Sequence, residues 1–375
     1  MKISRIFVLG LSLASFVSCS QDLDLEEYKE EISGVTPLEF NVKFADQESS
    51  RRKIRANGHD DDGKAYYKWT NGDMLAVLMP DSPSNYEGVD YTRGVYKVTN
   101  SYSIGTWSQT TELTRVNGHI GFANANIDKT HRLYYGYPAG KVNITQYHPY
   151  ISGEEGWEQL SADFEVTIDA TQNGTVEDFE PGESETNTTA DYQVGDWNQA
   201  VCGGAMGIKP RDYIDGGYLL MWPLFTTAEI DIQAPASGCT IKSIELTAHP
   251  VIGTTEVTTN ICGTASGTFT CKGGGELEFS PFLTSDSAEG GKQDKLTLNI
   301  NGEGGFNLEG GKKLRASMFF FPSGDTDIST GRSVVPMKLT IKVTTSKGTK
   351  TATFANPLNV TLRGRNHIDL GTLSE

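Results

Sequence analysis

Short runs in which apolar and polar residues alternate recur along this chain and constrain its fold more than any other feature. In the run PLEFNVKF, Leu38, Phe40, Val42 and Phe44 alternate with other residues, which is the two-residue period of a strand with one buried face. Similar runs such as GVYKVT, HRLYYGYP, DKLTLNIN and PMKLTIKVTT are separated by turns rich in glycine and asparagine, and no long stretch has the period of a helix. This spacing of short strands predicts an all-β chain built as two β-sandwiches.

The length of the chain and its changes in composition predict four segments. With 375 residues the chain is long enough for two domains, and the glycine-rich stretch CGGAMGIKPRDYIDGG lies where a first sandwich would end. The predicted segments are a signal peptide over 1–18, a tether with the first strand over 19–55, an N-terminal sandwich over 56–205 and a C-terminal sandwich over 206–375. The polar, acidic residues 172–197 are expected to form a long loop that closes the first sandwich.

The first residues have the organisation of a bacterial lipoprotein signal. Lys2 and Arg5 precede an apolar stretch over 6–17 that is too short to span a bilayer. Cys19 follows directly, after a small residue, and this position resembles the lipidated cysteine of a lipobox. We predict that Cys19 is acylated and anchors the precursor to a membrane, with an ordinary secretory signal and an incidental cysteine as the alternative.

Composition and motifs argue against several classes of function. The chain has 32 Lys and Arg residues against 48 Asp and Glu residues, a formal net charge of -16, so a polyanion such as nucleic acid is not expected as a partner. The six histidines show no metal-ligand spacing, and no GxSxG, HExxH or P-loop motif is present. We therefore predict that the protein is not an enzyme and has neither a metal site nor a cofactor.

Four cysteines remain beyond the signal peptide and its lipidated residue. An extracytoplasmic compartment allows disulfides, and Cys262 and Cys271 flank the segment GTASGTFT, which we interpret as a hairpin loop. A disulfide between Cys262 and Cys271 across that loop is one prediction, and buried free thiols are the alternative.

An ordered set of motifs resembles the fimbrillin family, the pilins of type V pili of gut and oral anaerobes. Cys19 and PLEFNVKF are followed by an arginine-containing segment, and then by WTNGDMLAVL, LYYGYP, VTIDATQNG, WPLFTTAEIDIQAP with IKSIELTA, and LRGRNHIDL. The resemblance covers nearly the whole chain. It implies two tandem transthyretin-like β-sandwich domains and a location at the outer membrane, on the cell surface and in a pilus.

The resemblance also implies that the lipoprotein precursor is cut by an Arg-specific protease. The basic stretch ESSRRKIRANG offers Arg55 as the first choice and Arg52 and Arg51 as second choices, in an exposed linker of small and polar residues. The cut would make residues 19–55 a propeptide. A solvated basic loop that pairs with the acidic residues 60–62 is the alternative.

Cleavage would displace the first strand, and a strand from another pilus subunit would then take its place by strand addition. The predicted displaced side chains are Leu38, Phe40, Val42 and Phe44. Stalk pilins of the family carry a C-terminal extension as the donor strand, whereas this sequence ends at NHIDLGTLSE, directly after the last predicted core strand. We therefore expect a tip or minor pilin with a structural or adhesive role, which accepts a strand and donates none.

Two further sequence features suggest an alternative function and a candidate modification site. The alternative function is a surface lipoprotein that binds glycans in a polysaccharide-uptake system, with the tyrosine-rich run over 85–98 as its aromatic platform. The tripeptide Asp286-Ser287-Ala288 matches a short pattern for O-glycosylation at Ser287, and such tripeptides also arise by chance.

Overall fold

Strands dominate the computed structural model of the chain. The structure describes residues 34–38, 40–44, 72–100, 111–129, 131–152, 158–179, 190–213, 217–272, 276–280, 293–321, 334–362 and 364–374. Short 3₁₀ turns lie at Asn124–Asn126, Trp197–Gln199, Pro210–Tyr213 and Gly302–Gly304. Within the described ranges no α-helix is present, so the predicted all-β fold class is confirmed.

The strands are numbered along the chain. The first thirteen are β1 Val35–Pro37, β2 Phe40–Phe44, β3 Met74–Leu78, β4 Thr92–Asn100, β5 Thr111–Ala123, β6 His131–Tyr137, β7 Val142–Ser152, β8 Glu158–Ile168, β9 Thr171–Gly174, β10 Glu177–Asp178, β11 Tyr192–Gly195, β12 Cys202–Ile208 and β13 Gly217–Pro223. The others are β14 Thr226–Gln233, β15 Cys239–Ile252, β16 Thr255–Glu256, β17 Gly263–Lys272, β18 Glu276–Ser280, β19 Lys295–Ile300, β20 Phe306–Leu308, β21 Lys313–Phe320, β22 Val334–Thr345, β23 Gly348–Thr353, β24 Leu358–Thr361 and β25 Arg365–Thr372.

Seven strands of the first sheet form a closed circuit of backbone pairing. The order is β5, β2, β13, β12, β6, β3 and β4, and β4 pairs again with β5. β1 pairs with the C-terminal end of β5. Closing a sheet on itself removes the free edges that an open sheet would present. The circuit depends on β2, which is the link between β5 and β13.

A second, four-stranded sheet has the order β18, β17, β8 and β7 and contacts β12 of the first sheet. Phe164, Val166 and Ile168 of β8 are buried and belong to the hydrophobic core. Gly267 on β17 makes room for this packing, because a Cβ atom there would lie 2.5 Å from the ring of Phe164.

Two more sheets contain most of the C-terminal half. One has the order β10, β11, β21, β14 and β25, and the other has the order β23, β22, β15, β19 and β9, with β16 and β20 on β15 and β24 on β22. The alternating sequence of β19 gives alternating burial, with Leu296, Leu298 and Ile300 inside. β22 and β23 form a hairpin, in which Thr345 lies opposite Gly348.

Strand pairing crosses the predicted domain boundary. A division between residues 205 and 206 would cut β12, and each of the four sheets combines strands from both sides of that point. The expected long loop over 172–197 is wrong, because this segment contains most of β9 together with β10 and β11. Thr171 on β9 pairs with Thr297, and Tyr192 on β11 pairs with Leu314. Partners so distant in the chain leave no local signal in the sequence.

Candidate functional site: the strand that closes the first sheet

The candidate site is the slot that β2 occupies between β5 and β13. β2 runs parallel to β13, with Val42 opposite Leu219 and Phe44 opposite Met221. It runs antiparallel to β5 at its other edge, where Val42 lies opposite Thr111. Leu219 and Met221 are fully buried, so the backbone of β2 lies beside positions that belong to the core.

The residues before β2 attach the same segment to the other end of β5. β1 pairs with β5 so that Thr36 lies opposite Phe122, and the Thr36 hydroxyl donates to Asn124 Oδ1 at 2.6 Å. The Leu38 amide donates to the Ile120 carbonyl oxygen at 2.9 Å. The Leu38 side chain is 3% exposed and belongs to the hydrophobic core. Burial of one leucine side chain is worth about 1.5–3 kcal/mol, so this contact holds the segment in place.

Gly121 on β5 allows β1 to lie close to the sheet. A Cβ atom at this position would lie 2.8 Å from the Thr36 carbonyl oxygen and 2.7 Å from a ring carbon of Tyr91. Neither distance is tolerated by real side chains, so any larger residue would push β1 away from β5. The close approach of β1 requires a glycine here, and strand periodicity did not single out this position.

Removal of the N-terminal segment would open the circuit. β13 would lose its pairing over Gly217–Met221, since its other described partner, β12, pairs with it only at Trp222 and Pro223. β5 would lose its partners at Thr111 and Glu112 and at Gly121–Ala123. The result would be a slot with unpaired backbone groups on both sides and a vacated pocket for one leucine. Such an edge binds an extended segment by backbone hydrogen bonds.

Several predicted site residues lie outside the described part of the chain. These are the lipidation site Cys19, the cleavage candidates Arg51, Arg52 and Arg55, and the glycosylation candidate Ser287. Of the four residues predicted on the displaced strand, Leu38 is described with its side chain. Phe40, Val42 and Phe44 are described by the pairing of their backbone in β2.

The predicted disulfide between Cys262 and Cys271 is wrong. Cys262 is a buried free thiol, and the segment between the two cysteines is the single strand β17 rather than a hairpin loop. A strand rises about 3.3 Å per residue, which places the two residues far beyond the Cα separation of about 7 Å that a disulfide tolerates. Burial, together with the charge of nearby Asp294, raises the pKa of Cys262 to about 12. Cys202 and Cys239 are also buried free thiols.

The tyrosine-rich run forms no flat aromatic platform. Tyr96 is 3% exposed and belongs to the core, whereas Tyr86 and Tyr91 are half-buried. The ring of Tyr91 lies 5.4 Å from the ring of His119 at a tilted angle. β4, which carries Tyr96, is paired on both sides by β3 and β5, so it offers no free strand edge.

The five-stranded sheet also contains a group of buried ion pairs that no sequence pattern indicated. Arg315 donates to both carboxylate oxygens of Asp231, at 2.7 and 3.0 Å, and both side chains are 2% exposed. His367 contacts the same carboxylate at 2.9 Å, and Arg365 pairs with Glu229 nearby. Burial raises the pKa of Asp231, but the hydrogen bonds from Arg315 and His367 outweigh burial and lower it to about 2.

The described residues show no arrangement of three or more His, Cys, Asp or Glu side chains that would hold a metal ion. The same residues contain no helix that is long and apolar enough to cross a membrane.

No family model matches the chain, and no curated protein matches its sequence. Among solved structures, a proposed cell adhesion protein from Bacteroides uniformis is similar over 90% of this chain and 93% of its own, with 10% identity and a TM-score of 0.40. A proposed cell adhesion protein from Bacteroides ovatus matches over 90% and 92%, with 11% identity and a TM-score of 0.35. The tip fimbrial protein Mfa3 from Porphyromonas gingivalis matches over 91% and 96%, with 10% identity and a TM-score of 0.30. These values are too low to assign the chain to a family.

Proposed function

We propose that the protein is a subunit of a surface polymer, a pilus, which is assembled by replacement of its N-terminal strand. The observation that supports this proposal is the position of β2, which alone links β5 to β13 in an otherwise continuous circuit. An N-terminal strand in that position can be exchanged for a strand of another subunit while the remaining pairings of the circuit are kept.

The arginines that follow β2 are the proposed cleavage sites at which the N-terminal strand would be separated from the rest of the chain. Arg51, Arg52 and Arg55 lie after β2 and before β3, and so between the strand and the rest of the circuit. A cut after Arg55 would separate β1 and β2 from the chain that continues into β3. The same cut would separate Cys19, and any lipid that it carries, from the remainder of the subunit.

This connectivity supports the following proposed order of events. Acylation of Cys19 holds the precursor at the outer membrane, cleavage after arginine detaches the N-terminal segment, and the donor strand of another subunit enters the slot. The role in the polymer is structural or adhesive, at the tip or as a minor component.

N-terminal sequencing of protein sheared from cells tests this function. We expect the surface polymer to contain chains that begin at Ala56, and we expect a variant with alanine at positions 51, 52 and 55 to remain unpolymerised at the membrane. The matched control is Lys53→Ala, which removes a neighbouring positive charge but no arginine. Chains that begin at Cys19 in all surface material, or normal polymerisation of the triple variant, would contradict the proposal.

Lipidation is tested separately. Labelling with a fatty-acid analogue is expected for the wild-type precursor and is expected to be lost in Cys19→Ala, since this cysteine directly follows the apolar segment of the signal. Equal labelling of the two chains would remove the anchor from the proposed sequence of events.

A further inference from the structure

A cleft of about 340 Å³ opens on one face of the first sheet, beside the start of β7. It lies on the face of β3 and β4 that carries Ala76 and Val95, which are half-buried, whereas their neighbours Leu75 and Tyr96 are buried in the core. This volume is at the small end of the range of about 300–1,000 Å³ for ligand pockets and suits one ring of a small organic molecule.

The floor of the cleft is formed by short side chains in one row. Gly136, Ala76 and Val95 lie directly opposite one another on β6, β3 and β4. Val142 at the start of β7 packs onto this row, because a Cβ atom on Gly136 would lie only 2.6 Å from the Val142 Cβ atom. This row of the floor is therefore apolar and closed at the β7 end, and Leu78 and Tyr134 line the cleft beside it.

The rim of the cleft carries polar groups of complementary kinds. Asn117 uses its Oδ1 atom to accept from the Gly118 amide at 2.8 Å, which leaves its amide protons for a ligand. Asn143 uses its Nδ2 atom in a long contact of 3.5 Å with the Gly140 carbonyl oxygen, which leaves its oxygen as an acceptor. A sugar hydroxyl needs both a donor and an acceptor, and the two asparagines supply them.

Among the described residues that line the cleft, Arg93 carries the only charge. Its side chain is 75% exposed, and its Nε atom lies 3.9 Å from Asp90, a distance that leaves the fork of the guanidinium group available to a carboxylate. His119 lies directly opposite Arg93 on β5, and Arg115 contacts the ring of His119 at about 3.0 Å. In a chain with a net charge of -16, the guanidinium groups of Arg93 and Arg115 lie together here beside the Asp90 carboxylate, and the two positive charges favour an anionic ligand.

We propose that this cleft binds one carboxylate-bearing sugar residue of a glycan. The sugar ring would lie on Ala76 and Val95, its carboxylate would face Arg93, and its hydroxyl groups would meet Asn117 and Asn143. This inference deepens the adhesive role given under the proposed function and names the class of its ligand. A uronic acid within a polysaccharide and a terminal sialic acid share this chemistry.

Two probes distinguish these sources in calorimetric titrations of the purified full-length chain. Trigalacturonic acid represents an internal uronic acid and 3′-sialyllactose a terminal sialic acid, and neutral maltotriose serves as the control ligand. We expect one acidic probe to bind with a dissociation constant in the range of about 10 µM to 1 mM, and maltotriose to bind far more weakly. Arg93→Ala should weaken binding by about tenfold or more.

Further variants separate binding from folding. Ala76→Leu should fill the floor of the cleft and abolish binding, Asn143→Ala should weaken it, and Arg211→Ala, at a surface ion pair with Asp128, should leave it unchanged. Thermal melting checks that each variant is folded. The proposal is overturned if neither acidic probe binds at about 10 mM, or if Arg93→Ala and Ala76→Leu bind the acidic probe as the wild type does. Because the assay uses the uncut chain, its result does not depend on cleavage or polymerisation.

Discussion

The Leu38 amide donates to the Ile120 carbonyl oxygen at 2.9 Å, at the point where the N-terminal segment passes from β1 to β2. The hydrogen bond and the buried Leu38 side chain together hold one end of the closing strand on β5. These local contacts attach the N-terminal segment to β5.

Truncation of Leu38 is expected to destabilise the uncut chain. Leu38→Ala removes a side chain that is 3% exposed and leaves a cavity, which typically costs about 2–5 kcal/mol. Chemical denaturation measures the change in the free energy of unfolding. Ile252→Ala, at a residue that is 62% exposed, is the matched control and should change stability by about 0.5 kcal/mol or less. Equal effects of the two variants would show that Leu38 does not hold the segment.

Gly121→Ala is expected to loosen β1 specifically. The added Cβ atom would lie 2.8 Å from the Thr36 carbonyl oxygen, so β1 must move away and the Leu38 amide should lose protection from hydrogen exchange. Gly304→Ala is the control, because no atom lies within 4 Å of its Cβ position. Unchanged exchange at Leu38 in Gly121→Ala would mean that this close approach is not required.

Stability should fall in acid because of Asp231. Its pKa is about 2 in the folded chain against an ordinary value of 3.8, so the folded state favours the carboxylate. The resulting stabilisation is complete above about pH 4 and is lost as the pH falls through about 2, an effect of roughly 2 kcal/mol at 1.36 kcal/mol per pKa unit. Denaturation midpoints measured from pH 7 to pH 2 should show this loss.

The variant Asp231→Asn tests the same ion pair at neutral pH. It leaves the Arg315 guanidinium buried without its carboxylate partner, which costs about 3–5 kcal/mol. Asp128→Asn breaks an exposed pair with Arg211 and should cost about 1 kcal/mol or less. Similar small losses in both variants would show that the buried pair contributes no more than a surface pair.

Cys262 is expected to resist alkylation in the folded chain. Burial raises its pKa to about 12, so at neutral pH almost no reactive thiolate is present. Mass spectrometry after iodoacetamide treatment should find Cys262 unmodified in the native protein and modified in denaturant without a reducing agent. A requirement for reduction before Cys262 reacts would reveal a disulfide.

Local patterns predicted the strands whose one face is buried. The alternation in KLTLNI became the burial pattern of β19. The alternation of polar and apolar residues does not mark a solvated face where both faces of a strand are covered by other elements. In the segment EIDI, Glu229 and Asp231 have the spacing of a solvated face, yet they are buried because β21 and β25 bring Arg315 and Arg365 to them.

Features of the candidate site that depend on distant pairing could not be predicted. The run PLEFNVKF predicted one strand, of which β2 covers Phe40–Phe44, and Leu38 lies before β2 outside a strand. Nothing near the run indicates that β13, more than 170 residues later, is the parallel neighbour of β2. GTASGTFT contains two glycines and therefore resembled a loop. In the structure this segment is part of the continuous strand β17. Its Gly267 leaves space for the ring of Phe164 on the neighbouring strand β8.

The most direct test of strand replacement is native mass spectrometry of the chain before and after digestion with an Arg-specific protease. The cut chain is incubated with a labelled synthetic peptide of residues 34–44, GVTPLEFNVKF, and the uncut chain with the same peptide. We predict that the cut chain loses its N-terminal fragment and binds one peptide, whereas the uncut chain binds none. A cut chain that keeps its fragment and excludes the peptide, or an uncut chain that binds the peptide equally well, would contradict strand replacement.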